Sequence, residues 1–253
     1  MIELKKINKS FNGQVVLKDL DLTINTGESR VIIGRSGCGK SVLLKHIIGI
    51  MRPDSGSVLI DGTDIALVSS KELDKIRLNF GMLFQGAALL DSLNVMENVG
   101  FQLFEYTDMS PKAIKRRIEK CLKLVGLEGI EDSKPSELSG GMKKRVGLAR
   151  AISMSPKIIL FDEPTTGLDP IMGDVINNLI RYLHDTLRIT SVTVTHDMKS
   201  AYKIADRISV LYEGHIIETG TPKEIKCSKN PIVQQFIGGK AETVVSEQLT
   251  VNS

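Results

Sequence analysis

The residues Gly34-Arg35-Ser36-Gly37-Cys38-Gly39-Lys40-Ser41 have the composition and spacing G-x-x-x-x-G-K-[ST] that wraps a polyphosphate. Glycines let main-chain N–H groups close on phosphate oxygens, and a helix beginning there adds partial positive charge. Lys40 can reach the β and γ phosphates, and the Ser41 hydroxyl can ligate Mg²⁺. A second group of reactive type lies far along the chain. The run Lys157-Ile-Ile-Leu-Phe-Asp162-Glu163 ends an apolar stretch in two carboxylates, suited to phosphoryl transfer: Asp162 can serve a metal ion, directly or through water, and Glu163 can orient and deprotonate a water. The competing reading is a pair of solvent-facing acids.

These residues act only if the chain positions them. Arg30 to Ile33 reads as a short buried strand and Val42 to Ile48 as a helix, so the glycines fall at a strand-to-helix turn. Gln85 closes a β-region, Phe80 to Phe84, at the carboxyl end where open α/β sheets place ligand groups, although a strand can simply end in Gln. His196 follows the β-branched strand Ser191 to Thr195 at the same edge, where an imidazole could donate to a γ-phosphate; an exposed structural His is the plainer alternative. Phe11 lies in the polar turn Lys9 to Gly13, either stacked on a nucleotide base or folded onto the adjacent sheet.

The stretch before the glycine loop alternates short apolar runs, Ile2 to Ile7, Gln14 to Leu17 and Leu20 to Ile24, as a small antiparallel sheet would. Pro53-Asp-Ser-Gly56 reads as a turn, Ser57 to Ile60 as a strand and Asp61-Gly62 as a hairpin. From about 91 to 155 the pattern turns helical. In Pro111 to Val125 the residues Ile114, Ile118, Cys121, Leu122 and Val125 share one helix face, with Lys and Arg opposite. A helix from Lys143 to Ser153 follows Ser139, Gly140 and Gly141, a second helix start suited to an anion, which need not face the same phosphate within one subunit. Pro164 to Pro170 is a turn carrying Asp169, and Ile171 to Thr186 a helix. A hairpin is expected at Ile208 to Leu211 with His215 to Thr219, and a capped helix start at Thr221-Pro-Lys-Glu224. The tail 240–253 shows no helical period and is expected to be flexible.

The bulk properties exclude several classes. A chain of 253 residues with a formal charge of +3 has no general electrostatic grip on nucleic acid or membrane. Three cysteines without C-x-x-C spacing, Cys38, Cys121 and Cys227, argue against a disulfide framework or a zinc site and fit a reducing cytosol. The beginning of the chain lacks the apolar core of a signal peptide. No stretch approaches the ~20 apolar residues of a membrane span, so work at a membrane requires another chain to span it. Beside a helix N-terminus and Lys40, the Cys38 thiol is expected to have a lowered pKa and raised reactivity, unless it is only a small residue filling the loop.

The order Gly34 to Ser41, Gln85, Leu138-Ser-Gly-Gly-Met142, Asp162-Glu163, Asp169 and His196 resembles the nucleotide-binding subunit of an ATP-binding cassette (ABC) transporter, over nearly the whole chain. The Leu-Ser-Gly-Gly stretch decides it, since other P-loop families lack it. The resemblance implies an α/β P-loop NTPase: a RecA-like core with an antiparallel β subdomain and an inserted helical subdomain at about 91–155, in one nucleotide-binding domain spanning 1–239. It implies a homodimer that sandwiches two ATP molecules and hydrolyses them to drive membrane permease subunits, with no nucleic-acid partner. It makes Phe11 the adenine-stacking aromatic, Gly34 to Ser41 the phosphate cradle, and Ser41, Gln85 and Asp162 the Mg²⁺ group. Glu163 becomes the base and His196 the γ-phosphate holder. Ser139, Gly140 and Gly141 would contact the nucleotide held by the opposite subunit, and Asp169 would lie at the dimer seam. Met142 stands where many members have Gln; lying past the glycines, it is expected to leave ATPase activity intact.

The stretch Phe84 to Asn98, with Gly34-Arg-Ser-Gly and Ser41 to His46, is similar to the ATPases of bacterial maintenance-of-lipid-asymmetry (Mla), toluene-tolerance and Mce-type systems. That likeness implies phospholipids or related hydrophobic cargo, a peripheral place on the cytoplasmic face of the inner membrane, an Mce-domain lipid-binding protein and a small STAS-type subunit. Gly86 to Leu93 could form a docking groove for the permease, or be simple core packing. Other readings are weaker: a cassette protein acting on ribosomes or DNA would carry two cassettes or long coiled coils, and a GTPase would carry Asn-Lys-x-Asp.

Overall fold

The computed structural model describes residues 1–238, so the tail from Lys240 lies outside the described residues. The first sheet has four antiparallel strands in the order β2-β1-β4-β5: β1 (Ile2–Phe11), β2 (Gln14–Ile24), β4 (Ser55–Ile60) and β5 (Thr63–Asp64). Three short runs were expected in its first hairpin, and two long strands stand there instead. Leu17 and Leu20 are both buried yet three apart, which a strand allows only if a residue is inserted between them. Asp19 adopts φ 41° at that bulge and exchanges hydrogen bonds with Asn8, N–H to Oδ1 at 2.9 Å and Nδ2–H to Oδ1 at 3.1 Å. Polar side chains thus bridge the interruption and the ladder continues. At the β4–β5 hairpin Asp61 and Gly62 both have positive φ, 49° and 83°, as a two-residue turn of matching twist requires.

The second sheet has six strands in the order β10-β9-β3-β8-β7-β6: β3 (Ser29–Ile33), β6 (Phe80–Leu83), β7 (Ile158–Asp162), β8 (Thr190–Thr195), β9 (Arg207–Tyr212) and β10 (His215–Gly220). All pairs are parallel except the β9–β10 hairpin at one edge. The inner strands are almost continuously buried because both faces are covered. Alternate residues feed two cores. Val31, Ile33, Ile159 and Phe161 join a cluster with the longer helices, whereas Ile32, Leu160, Val192 and Val194 pack with Leu43, Leu44, Ile47 and the antiparallel sheet. The register sets Ile33 beside Thr195, Asp162 beside Val194 and Leu83 beside Phe161. The carboxyl ends of β3, β6, β7 and β8 therefore reach one common edge, and Gly34, Gln85, Glu163 and His196 follow from it.

Helices cover these faces: α1 (Lys40–Ile47), α2 (Ser70–Arg77), α3 (Val95–Tyr106), α4 (Pro111–Leu124), α5 (Gly140–Ser153), α6 (Pro170–Leu187), α7 (Met198–Ile204), α8 (Pro222–Lys226) and α9 (Pro231–Ile237). The expected face of α4 is buried, and Thr221 and Glu224 form a capping box at α8. The sequence reading passed over α2, α7 and α9, although Ser69 and Glu72 make a capping box at α2. Among the described residues no helix is long and apolar enough to cross a membrane.

The loop between β6 and α3 borders the common edge and is held by one buried side chain. Asn98 is fully buried; its Oδ1 accepts from Leu90 N–H at 2.8 Å, and its Nδ2 donates to the carbonyls of Leu90, Leu93 and Asn94 at 3.1, 3.1 and 2.9 Å. Truncation takes the side-chain partner from the Leu90 N–H and the Leu93 carbonyl, whereas the Leu90 and Asn94 carbonyls keep the N–H groups of Leu93 and Asn98. Asn98→Ala is expected to cost about 3 kcal/mol of unfolding free energy, read as a lowered urea midpoint with an unchanged slope.

Candidate active site

The glycine loop leaves β3 at Gly34, where a Cβ would lie 2.6 Å from the Leu211 carbonyl oxygen, so only glycine passes. Gly39 takes φ 101° just before α1 and supplies no side-chain cap, which leaves the first N–H groups of the helix open to an anion. Lys40 folds back over the loop, its Nζ donating to the carbonyls of Gly34 at 2.8 Å and Arg35 at 2.9 Å. It also lies 3.6 Å from Glu163 Oε1, with both side chains nearly buried.

Across from it, β7 ends in the two acids. Asp162 Oδ1 accepts from the Ser41 hydroxyl at 3.0 Å. Burial pushes the Asp162 carboxyl up, and the Ser41 hydrogen bond works against that rise. Glu163 takes φ 47°, its N–H donating to the Val194 carbonyl at 3.0 Å. Its Oε2 accepts from the hydroxyls of Thr166 and Thr195, each at 3.2 Å, and meets His196 Nδ1 at 2.9 Å. One oxygen thus faces an ammonium while the other is held by two hydroxyls and an imidazole. A carboxylate fixed in this way can accept a proton from a water placed before it.

Between these groups lies a cavity of about 330 Å³, which Phe11, Gly37, Lys40, Gln85, Glu163 and His196 line together with Ser36, Gly39 and Ser41. Phe11 ends β1 and is 40 % exposed, with Lys9 Nζ 5.4 Å from its ring centroid. One end of the cavity is therefore aromatic and the other carries Lys40 and the loop N–H groups, an arrangement fitted to a base and its phosphates. Arg35 contributes its main-chain carbonyl rather than a lining side chain. Among the described residues no three or more His, Cys, Asp and Glu cluster as a metal site.

Cys38 corrects the expectation. Its thiol pKa is raised, because burial against the core that Leu43 and Leu44 share with the antiparallel sheet outweighs the nearby Lys40 charge. Desolvation of the thiol, which neighbouring residue types do not reveal, outweighs the charge beside the helix end.

Ser139, Gly140, Gly141 and Asp169 do not line the cavity. Ser139 caps α5, its hydroxyl accepting from Met142 N–H at 3.3 Å, and Asp169 caps α6, accepting from Ile171 and Met172 N–H at 3.0 Å each. A Cβ on Gly141 would collide with the Met172 side chain, so the two capped helix starts stand side by side as a second surface. Three site-forming residues escaped the sequence reading: Thr166, Thr195 and Lys144. Lys144 Nζ donates to the Gln85 carbonyl and, at 3.4 Å, to that of Glu163. Burial pushes its pKa down, and the charges of Asp162 and Glu163 oppose that. The signal was its position: Lys144, Leu148 and Ile152 follow one another at helical spacing on the buried face of α5.

Residues 17–166 match the family described as ABC transporter. Over 239 residues the chain is 43 % identical to the probable ribonucleotide transport ATP-binding protein mkl of Mycobacterium leprae, covering 94 % of this chain and 69 % of that protein. It is 39 % identical over 242 residues to the intermembrane phospholipid transport system ATP-binding protein MlaF of Haemophilus influenzae, covering 96 % and 92 %. Its fold is similar to the dimeric structure of a post-hydrolysis state of the ATP-binding cassette MJ0796 bound to ADP and Pi, with a TM-score of 0.80 and 36 % identity over 88 % of this chain and 99 % of that one. With the phosphate loop, the paired acids and the Ser-Gly-Gly helix start in one P-loop α/β fold, the chain belongs to the ABC transporter family as an ATP-hydrolysing subunit.

Proposed function

We propose that this subunit works as a homodimer closing on two ATP molecules, on the cytoplasmic face of the inner membrane, to drive a permease that moves phospholipids or related hydrophobic molecules. The carrying observation is the separation of the two anion sites. Ser139 to Gly141 open a helix away from the Lys40 cavity, so they are free to reach the γ-phosphate held by a second copy. Asp169, beside them, would lie at the seam.

Within one cavity, the adenine stacks on Phe11 and the phosphates take over the Lys40 ammonium from the carbonyls of Gly34 and Arg35, with Gly34 to Ser41 closing around them. Glu163 accepts a proton from the water whose oxygen attacks the γ-phosphorus, while the bond to the bridging oxygen breaks and ADP leaves. His196 braces Glu163 and donates to the transferred group. The donor set fits Mg²⁺: the Ser41 hydroxyl, the Asp162 carboxylate and the Gln85 amide are hard oxygen ligands, and the first two already meet in a hydrogen bond. The ion would neutralise charge on the phosphate oxygens.

The permease reading is supported by an apolar groove of about 600 Å³ next to Gln85, where Ile50, Phe84, Leu90, Phe101 and Tyr106 remain 38–59 % exposed. Only part of the expected Gly86 to Leu93 segment lines it, Ala88 and Leu90, and aromatics of α3 form the opposite wall. The phospholipid reading draws on MlaF, nearly all of whose length this chain matches. An Mce-domain protein and a STAS-type subunit are the accessory partners it suggests.

Glu163→Gln is expected to keep ATP binding, lose at least about 100-fold in turnover and accumulate a closed dimer in size-exclusion chromatography with ATP. Lys40→Ala instead weakens nucleotide binding itself, read by equilibrium titration. Lipid mass spectrometry on the intact complex tests the cargo: phospholipid in stoichiometric amount is expected, and enrichment of another solute class refutes it. A monomer that hydrolyses ATP at full rate under dilution refutes the sandwich.

A further inference from the structure

Helix α5 carries a buried cation to which none of the roles above assigns a task. The Lys144 side chain runs from α5 beneath the common edge of the sheet, and the residue is only 5 % exposed. Its ammonium donates to two main-chain carbonyls, those of Gln85 and Glu163, which follow the neighbouring strands β6 and β7. The side chains of these same two residues line the nucleotide cavity. One Nζ therefore ties from behind the two residues that would flank the attacking water.

Two further observations give this contact weight. Glu163 holds φ 47°, a conformation that costs a non-glycine residue energy and persists only where its surroundings over-determine it. Its N–H is fixed by Val194, and its carbonyl accepts both from Thr166 N–H at 3.2 Å and from the Lys144 ammonium. The same face of α5 also grips the segment that leads on from β6. A Cβ on Gly147 would lie 2.7 Å from Leu83, and Arg150 donates to the carbonyls of Ala87 and Ala88 at 2.6 and 2.7 Å. Ala87 and Ala88 themselves have positive φ. Lys144, Gly147 and Arg150 thus hold residues 83–88 at three successive levels of a helix whose first residues are Gly140 and Gly141.

We propose that Lys144 is a positioning residue for hydrolysis: by bridging the Gln85 and Glu163 carbonyls, its ammonium sets the spacing of those two side chains and carries displacements of the Ser139 helix start to them. The proposal rests on the reading of Glu163 as the base. Lys144 does not line the cavity, so its loss should leave binding alone and slow the chemical step.

The test uses the full-length chain in its purified transporter complex. Lys144→Met keeps the apolar stem and removes the donor; kcat is expected to fall at least about tenfold while KM for ATP and nucleotide Kd stay within about twofold. Lys144→Arg keeps a buried cation with several N–H groups and should recover most of the lost kcat. A purely structural role would lower the thermal midpoint and the number of binding-competent sites without changing kcat per site. Parental kcat per site in Lys144→Met overturns the proposal. If that variant does not fold, Lys144→Gln and Lys144→Arg decide, and equal kcat in the two overturns it. Glu163→Gln measured alongside separates the two claims. Loss of turnover there with parental turnover in Lys144→Met removes the positioning role alone, whereas parental turnover in Glu163→Gln removes the base and with it the purpose assigned to Lys144.

Discussion

An ammonium and a carboxylate, Lys40 and Glu163, face each other at 3.6 Å with little water around either, and much of the fold is needed to keep them there. At an effective dielectric constant near 20 such a pair attracts by about 5 kcal/mol before desolvation is charged against it. That balance makes the contact a poor source of stability and a good placeholder. A polyphosphate entering the cavity offers Lys40 more negative charge than Glu163 does, and it leaves the carboxylate free to face a water. The glycine loop, the parallel register of β3, β7 and β8, and the threonines behind Glu163 all hold the two groups in that position.

What was legible in the residues was whatever is local. Gly34 to Ser41 announce themselves because eight consecutive positions carry the geometry, and α4 because its apolar residues repeat within its own length. Thr221 and Glu224 are read from a three-residue offset. What was illegible depends on burial. Lys144 sits in the run Lys143-Lys144-Arg145, which looks like any solvated helix face until the sheet edge is laid over it. Cys38 was misjudged for the same reason, since neighbouring charge is visible in a sequence and desolvation is not. The first hairpin was divided into too many strands because a break in alternation can signal a turn or a bulge, and only the pairing of Asn8 with Asp19 tells which.

The site is likewise divided between local and assembled parts. The Lys40 cavity is lined by the edge of the six-stranded sheet and the glycine loop that leaves it, with Phe11 reaching in from the antiparallel sheet. The Ser139 and Asp169 helix starts belong to a different surface, locked to each other through Gly141 and Met172. The relatives named for ribonucleotide and for phospholipid transport are similar to this chain at nearly the same level, as expected if the ATPase supplies force and the membrane partner supplies selectivity.

The larger apolar cluster runs without a break from Val31 and Ile33 in the sheet, through Val146 and Leu148 of α5, to Ile114 and Ile118 of α4. Swinging the helices and the sheet apart as two hinged plates would strip apolar surface bare at roughly 25 cal/mol for each Å². Gly147 lets α5 pack closely on Leu83, and Lys144 and Arg150 tie the helix to the carbonyls of Gln85, Ala87 and Ala88. A displacement of α5 would therefore carry residues 83–88 along with the helix instead of opening the interior between them.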